Sequence, residues 1–336
     1  MKKLVTSLLF SACLSNFILA QDIHLSQFYN SDQLLNPAKT GDFDGDYRIT
    51  GNYRNQWNTQ TLQPLMTSVI SFDKGFHYYS HQIDGGILLA RDEFDGFNST
   101  TNKILLSAAY SYTYKENRFR VGIQPGFVFK KTDLSKQSFP GQWDFQSGTF
   151  NTQLNNQETN LNPTDNYFDL NIGAQWARKF KKIEPKIGFA ANHINRPKDT
   201  YLNTVTQRLK ARKVFYAEAN WRLREKIFLQ PKLLWMWTAK ANNMVLGTNI
   251  KHLINNKSIT SIYYGAHYRH GVNRITDAII PTVGLKYKKF DLGFSYDTNV
   301  SSISKNVTHK SSFEFSIIYI AASSKPKYVT LPCDRY

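Results

Sequence analysis

The stretch DYRITGNYRNQW, residues 46–57, carries two chemistries on alternate positions. Its odd row is Tyr47, Ile49, Gly51, Tyr53, Asn55 and Trp57, largely apolar and aromatic. Its even row is Arg48, Thr50, Asn52, Arg54 and Gln56, polar throughout. A period of two is that of a β-strand with different surroundings on its two faces. The pattern recurs in KILLSAAYSYTY (103–114), RFRVGIQPGFVFK (118–130), YFDLNIGAQWAR (167–178), IFLQPKLLWMW (227–237), FDLGFSYD (290–297) and SFEFSIIYI (312–320). Further segments lie near 64–73, 82–92, 184–194, 213–222, 243–252, 259–269 and 277–288. The series amounts to about fourteen strands, the length of a transmembrane strand being about 9–11 residues. Nothing of comparable length reads at the helical period after the N-terminus.

This pattern predicts an all-β fold, a transmembrane antiparallel β-barrel of about fourteen strands. Closure removes the open edges that a flat sheet of this size would leave. The odd face of 46–57 then meets lipid and the even face meets a polar lumen. Tyr47, Trp57, Tyr114 and Trp237 fall near strand ends, where aromatic girdles sit. A soluble β-sandwich has the same alternation but rarely needs so many strands or aromatics. Connections at 115–117 and 239–242 are short, whereas 131–166 is long and rich in Asn, Gln, Thr and Ser, and 195–212 is also extended. Long connections of such barrels face outward and short turns face the periplasm.

The remaining segments set the boundaries. Lys2 and Lys3 precede an apolar run through Leu19, and Ala20 leads into Gln21 and Asp22, which predicts a signal peptide over 1–20. Cys13 lies inside that run, too early in it for a lipid attachment site. Residues 21–45 show no strand pattern, so this segment either folds into the lumen as a plug or lies at the periplasmic rim. The barrel is expected over 46–322 and a tail over 323–336.

Composition adds little against this reading. Mean hydropathy is −0.45 with 41% hydrophobic residues, which for a helical protein would mean no membrane span but is ordinary for a barrel. The net charge of +17 becomes +15 without Lys2 and Lys3. The basic residues are spread evenly with no basic helix and no nucleic-acid motif, so the excess suits a polar lumen or anionic lipid. Of two cysteines only Cys333 lies beyond the signal, which leaves no internal disulfide.

The opening DIHLSQFYNSDQLLNPAKTGDFDGDYRITGNYRNQW (22–57) resembles the PorP/SprF family of outer-membrane proteins of the type IX secretion system. The resemblance is carried by Ser26-Gln27-Phe28, Asn30, Leu35-Asn36-Pro37-Ala38, Gly41 and Tyr53-Arg54-Asn55-Gln56-Trp57. It continues in GFAANHINRPKDTY (188–201), GFSYDTNVSSI (293–303), SSFEFSIIYI (311–320) and LPCDRY (331–336). The chain departs from the family pattern at Ser31, Lys39-Thr40 and Asp334. The resemblance implies an outer-membrane accessory that works with type IX secretion components in the periplasm and outer membrane. Such a protein exports, retains or anchors a cognate large surface protein of adhesin type, gliding adhesins included, through its C-terminal sorting domain. The alternative is a general diffusion porin or uptake channel. Candidate partner-binding residues are Gln27, Asn36, Pro37, Arg48, Arg54, Gln56, Trp57, Asp297 and Cys333. The arginines would grip the N-terminal segment or the cargo by charge-assisted hydrogen bonds.

No enzymatic or metal motif stands out, and no cofactor is expected. GDFDGD (41–46) and RDEFDG (91–96) cluster carboxylates with glycine but lack calcium-loop spacing, and turn chemistry accounts for both. His267 and His270 are three apart, on opposite faces of a strand. His193 is placed to pair with a loop carboxylate, as a barrel-borne hydrolase would need, but no nucleophile signature accompanies it. Cys333 is read as part of a tail that docks on a periplasmic partner.

Overall fold

The computed structural model describes residues 22–56, 64–78, 81–158, 162–199, 207–239, 241–271, 278–300 and 311–322. The signal-peptide prediction, Trp57, Cys333 and the tail lie outside these residues.

Fourteen antiparallel strands close into one barrel. In chain order they are β1 (Tyr47–Gln56), β2 (Leu65–Tyr78), β3 (His81–Phe94), β4 (Ser99–Tyr114) and β5 (Asn117–Thr132). Then come β6 (Thr164–Arg178), β7 (Ile183–Asn192), β8 (Arg212–Arg224), β9 (Ile227–Thr238) and β10 (Ala241–Leu253). The last four are β11 (Ile259–His270), β12 (Ala278–Tyr287), β13 (Phe290–Asn299) and β14 (Ser312–Ile320). Each strand pairs with its neighbours in sequence, and β1 closes on β14, with Gly51 opposite Ile317. Two small hairpins, Trp143–Asp144 with Thr149–Phe150 and Lys198–Asp199 with Gln207–Arg208, stand in the two long connections.

The alternation settles which face is which. On β1, Arg48, Thr50, Asn52 and Arg54 are buried, while Ile49 and Tyr53 are exposed. Asn55 departs from its row and is buried. The outward rows are apolar around the wall, with Ile70, Leu106, Ile123, Phe127, Ile172 and Phe315 among the exposed side chains. In water such a continuous apolar surface would be untenable; in a bilayer it is the required solvent contact.

An even strand number puts both ends of the barrel on one rim, where Asp46 N–H donates to the Ala321 carbonyl at 2.9 Å. That rim also carries the tight turns after β4, β8 and β12. The described parts of the connections 133–163 and 193–211 lie at the opposite end. The short 239–240 connection also lies at that far end, since strand order fixes its side whatever its length. The sequence expectation that short connections share the periplasmic rim fails there.

Candidate functional site: the occupied lumen

The lumen holds the chain's own N-terminal segment. Residues 22–46 run from the long-connection end to the short-turn rim in brief turns: Phe28–Asn30, Asp32–Leu35 and Pro37–Lys39. A segment this irregular is tolerated at membrane depth because the barrel wall satisfies its polar groups. Ser26, Gln27, Gln33, Asn36, Lys39 and Thr40 are all buried. So the first of the two placements open to this segment, inside the lumen, is the one observed.

The tightest contact is a cluster on β1, β13 and β14. Arg54 is 2% exposed, Asp297 3% and Glu314 1%. Arg54 Nη2 donates to Asp297 Oδ2 at 2.8 Å, and its Nη1 lies 3.4 Å from Glu314 Oε2 and also bonds Ser26 Oγ. Ser26 Oγ donates to the Asp297 carboxylate at 2.7–2.8 Å. Glu314 accepts the two successive backbone N–H groups of Ser26 and Gln27 at 2.6 and 3.0 Å. Gln27 Nε2 donates to the Glu314 carbonyl at 3.0 Å, and its Oε1 accepts from Asn30 and Ser316. With its amide turned, Gln56 accepts from Arg54 Nη2 at 2.6 Å. Charge and backbone donors are thus both compensated away from water, as burial requires.

A second cluster holds the middle of the plug. Arg48 binds both oxygens of Asp73, at 3.0 and 2.6 Å, and also pairs with Asp32. Asp73 accepts from the Gly41 N–H at 2.7 Å. Lys39 bridges Asp32 at 2.7 Å and Glu218 at 3.0 Å. Lys39 and Arg48 supply the counter-charges that burial of Asp32 requires, and Asp32 and Glu218 supply those for Lys39. Arg120 donates to the Ala38 carbonyl at 2.7 Å, bonds the Thr40 carbonyl, and pairs with Asp84 at 2.5 Å.

Asn36 and Pro37 sit on a glycine seat. Gly122 on β5 and Gly173 on β6 face each other in the register. A Cβ at Gly173 would stand 1.8 Å from Asn36 Oδ1, and one at Gly122 would stand 2.4 Å from the Pro37 backbone. Asn36 Oδ1 caps the next turn through the Ala38 N–H at 2.8 Å, and Nδ2 donates to the carbonyls of Ala174 and Phe189 at 3.1 and 3.2 Å.

The two ends of the plug are latched by charge. At the outer end Asp22 meets Lys103 at 2.8 Å and His193 Nε2 at 2.7 Å, and His193 Nδ1 meets Asp169 at 2.7 Å. Burial would raise the Asp22 pKa, but Arg212, His193 and Lys103 lower it well below the ordinary value. Burial depresses His193, and the two carboxylates more than reverse that, so its pKa is raised. Both ring nitrogens are engaged by carboxylates, so His193 has no nitrogen left over for a hydrolase base. At the short-turn rim Asp42 takes Arg118 at 2.5 Å, Lys186 at 3.1 Å and Gln175 at 2.8 Å. This places the first carboxylate of GDFDGD in an ion-pair network.

Apolar contacts fill the rest. Phe28 and Leu35 pack with Val214, Leu234 and Val245 on one side, and Ile23 and Leu25 pack with Val69, Leu88 and Leu105 on the other. The expectation of a purely polar lumen therefore holds only in part, because the plug brings apolar side chains that the wall must match. A pocket among Ile23, Leu25, Phe28, Leu34, Leu234 and Met236 has a volume of about 30 Å³.

Of the nine candidate residues, Gln27, Asn36, Pro37, Arg48, Arg54, Gln56 and Asp297 come together at the plug–wall interface; Trp57 and Cys333 lie outside the described residues. Sequence reading missed Glu314, Asp73, Asp84, Arg120 and the Gly122–Gly173 seat. For the charged four the signal was present: an ionised residue on the inward parity of an alternating strand.

A lipid-facing barrel whose lumen is filled by its own folded segment defines a class, the outer-membrane barrel with an internal plug. Residues 18–319 match the family of the type IX secretion system membrane protein PorP/SprF, and the chain belongs to that family. It is thereby a component of type IX secretion in the outer membrane, a secretion and transport family rather than an enzyme family. No curated relative matches the chain. Among solved structures, the CymD monoaromatic hydrocarbon channel is 9% identical, with 88% of this chain and 94% of that chain covered at a TM-score of 0.52. A Pseudomonas aeruginosa FadL homologue is 10% identical, with 86% and 94% covered at 0.51. At these identities the likeness is one of fold.

Proposed function

We propose that this protein is a non-enzymatic accessory of type IX secretion that exports, retains or anchors a cognate large surface protein through that protein's C-terminal sorting domain. The observation that carries the reading is the plug. Ion pairs lock residues 22–46 to the wall at both rims and the middle, which makes the barrel a rigid platform. Cargo then meets the outer connections, 133–163 above all, or the short-turn rim. In this reading Arg48, Arg54 and Asp297 act on cargo indirectly, by fixing the plug. The rival is a diffusion porin or uptake channel. A channel needs an open lumen, and residues 22–46 fill this one.

The test is affinity purification of the tagged protein from solubilised outer membrane, with mass spectrometry of its companions. Recovery of a large secreted protein with a C-terminal sorting domain, or of periplasmic secretion components, supports the reading. Recovery of the barrel alone, with steady ion conductance in planar bilayers, overturns it in favour of the channel.

A further inference from the structure

The plug is bonded to the wall unevenly. Its ion pairs and hydrogen bonds reach β1 to β8, β13 and β14 on all sides of the clusters above. On β9 to β12, apart from Arg269 to Ser26 at 3.2 Å, the polar contacts run chiefly through one side chain, Tyr29. Lys232 Nζ of β9 stands 4.1 Å from the Tyr29 ring centroid. His267 of β11 stacks on the same ring at 5.4 Å and 28°. Asn249 of β10 reaches the Tyr29 hydroxyl at 3.4 Å.

This stretch of wall has polar groups with nothing to bond. His267 is 2% exposed and Ser295 is 0% exposed, yet both His267 ring nitrogens and Ser295 Oγ have no hydrogen-bond partner among the described residues. Lys232 is buried and forms no ion pair among them, its Nζ donating only to Asn249, at 3.3 Å with that amide turned. Its cross-strand neighbour Glu218 is already held by Lys39 at 3.0 Å. Orphaned buried donors and acceptors of this kind destabilise the fold unless something fills them.

The glycines of this wall are covered by its own polar side chains. Lys232, Gly247 and His267 lie in one register row across β9, β10 and β11. A Cβ at Gly247 would be 2.4 Å from His267 Cδ2, so the imidazole lies down across the glycine toward the lysine. Gly265 lets Asn249 do the same, and Gly284 lets Tyr263 do so. Toward the short-turn rim the inward rows continue with half-buried Lys251, Lys286 and Asp291. Three lysines against one aspartate leave this strip with a formal charge of +2 and an approach from the periplasmic side.

We propose that the strip between Tyr29 and the inner wall of β9–β13 is an anion site, with Lys232 and His267 as the binding pair and a carboxylate group as the ligand. The lysine supplies charge and the imidazole supplies an N–H donor, the combination that a carboxylate's two oxygens accept. Lys251 and Lys286 draw the anion in from the rim. The carboxylate comes from a small free acid or from the end of a polypeptide chain, and the experiment separates the two sources.

The full chain in detergent and low-salt buffer is titrated with sodium acetate while the His267 imidazole is followed by NMR, the resonance being assigned through His267→Gln. A saturable shift is expected. Lys232→Gln should weaken it by about tenfold or more, the worth of one charge-assisted hydrogen bond. Lys251→Gln, at a half-buried position that leaves the plug contacts intact, should weaken it less and serves as the second variant. Triglycine and its C-terminal amide form the other arm. Saturation by the free acid but not the amide identifies a chain terminus as ligand, and saturation by acetate alone identifies small acids. A shift that grows linearly without saturating, or equal affinity in wild type and both lysine variants, overturns the site.

Discussion

Arg54 is where the structure makes its strongest energetic claim. Arg54→Met keeps most of the side-chain volume and removes the guanidinium. Asp297 then retains Arg269 at 2.7 Å and the Ser26 hydroxyl. Glu314 loses its cation and keeps only the two backbone N–H donors from the plug. Removing one partner of a buried pair costs about 3–5 kcal/mol, because the survivor stays charged and buried. The other Arg54 contacts, to Ser26 and Ser312, act in the same direction. A loss of that size shifts plug docking by roughly two to almost four powers of ten. The assay is hydrogen exchange of the peptide spanning Ser26 and Gln27, whose amides Glu314 holds. Exchange should accelerate by at least about a hundredfold, and Glu314→Gln in the same chain should restore part of the protection by removing the stranded charge. Wild-type protection in Arg54→Met, or no recovery in the double variant, would refute the view that this cluster locks the plug.

Other consequences are sharper in geometry or in pH. Gly173→Ala puts a methyl 1.8 Å from Asn36 Oδ1, so it should destabilise the folded barrel by about 1–3 kcal/mol in urea titration. Asn36→Ala removes a turn cap and two bonds to wall carbonyls and should cost about 1–3 kcal/mol by the same measurement. The outer latch should have a pH window. Asp22, its pKa lowered, contributes stability above about pH 4 and loses it as pH falls through the depressed value. His193, its pKa raised, contributes fully below about pH 6.5 and loses it as pH rises through the raised value. Protection of residues 22–25, with exchange rates corrected for their intrinsic pH dependence, should therefore be greatest between those limits, and His193→Asn should abolish its alkaline fall. On the outer surface, Leu106→Arg at the middle of β4 should cost about 2–4 kcal/mol of stability in liposomes, read from the folded band in cold gel electrophoresis.

The barrel was legible because strand parity is a local property. Each of the fourteen segments carried its own alternation, and the inward assignment of Arg48 and Arg54 followed from Ile49 and Tyr53 on the opposite row. The position of 239–240 was not legible from its length, because the side of a connection depends on counting strands around the closed ring. The plug stood out only as a segment without a period, since its turns are held by long-range partners rather than by local pattern. Ser26 meets Glu314 across 288 positions of chain, and no window of sequence contains both.

The glycine seat carries that argument one step further. Gly122 and Gly173 occupy inward positions of strands that otherwise read as ordinary alternation, and glycine weakens a strand interior. Taken alone each looks like a small defect. Facing each other across β5 and β6 they become a flat patch on which the Asn36-Pro37 backbone rests. The wall therefore gives up strand stability at one row to admit the plug, and the plug returns it through Asn36, whose amide reaches the carbonyls of Ala174 and Phe189 on β6 and β7. Wall and plug are each poorly explained without the other, which is the physical sign that the occupied lumen, rather than an empty barrel, is the folded state of this chain.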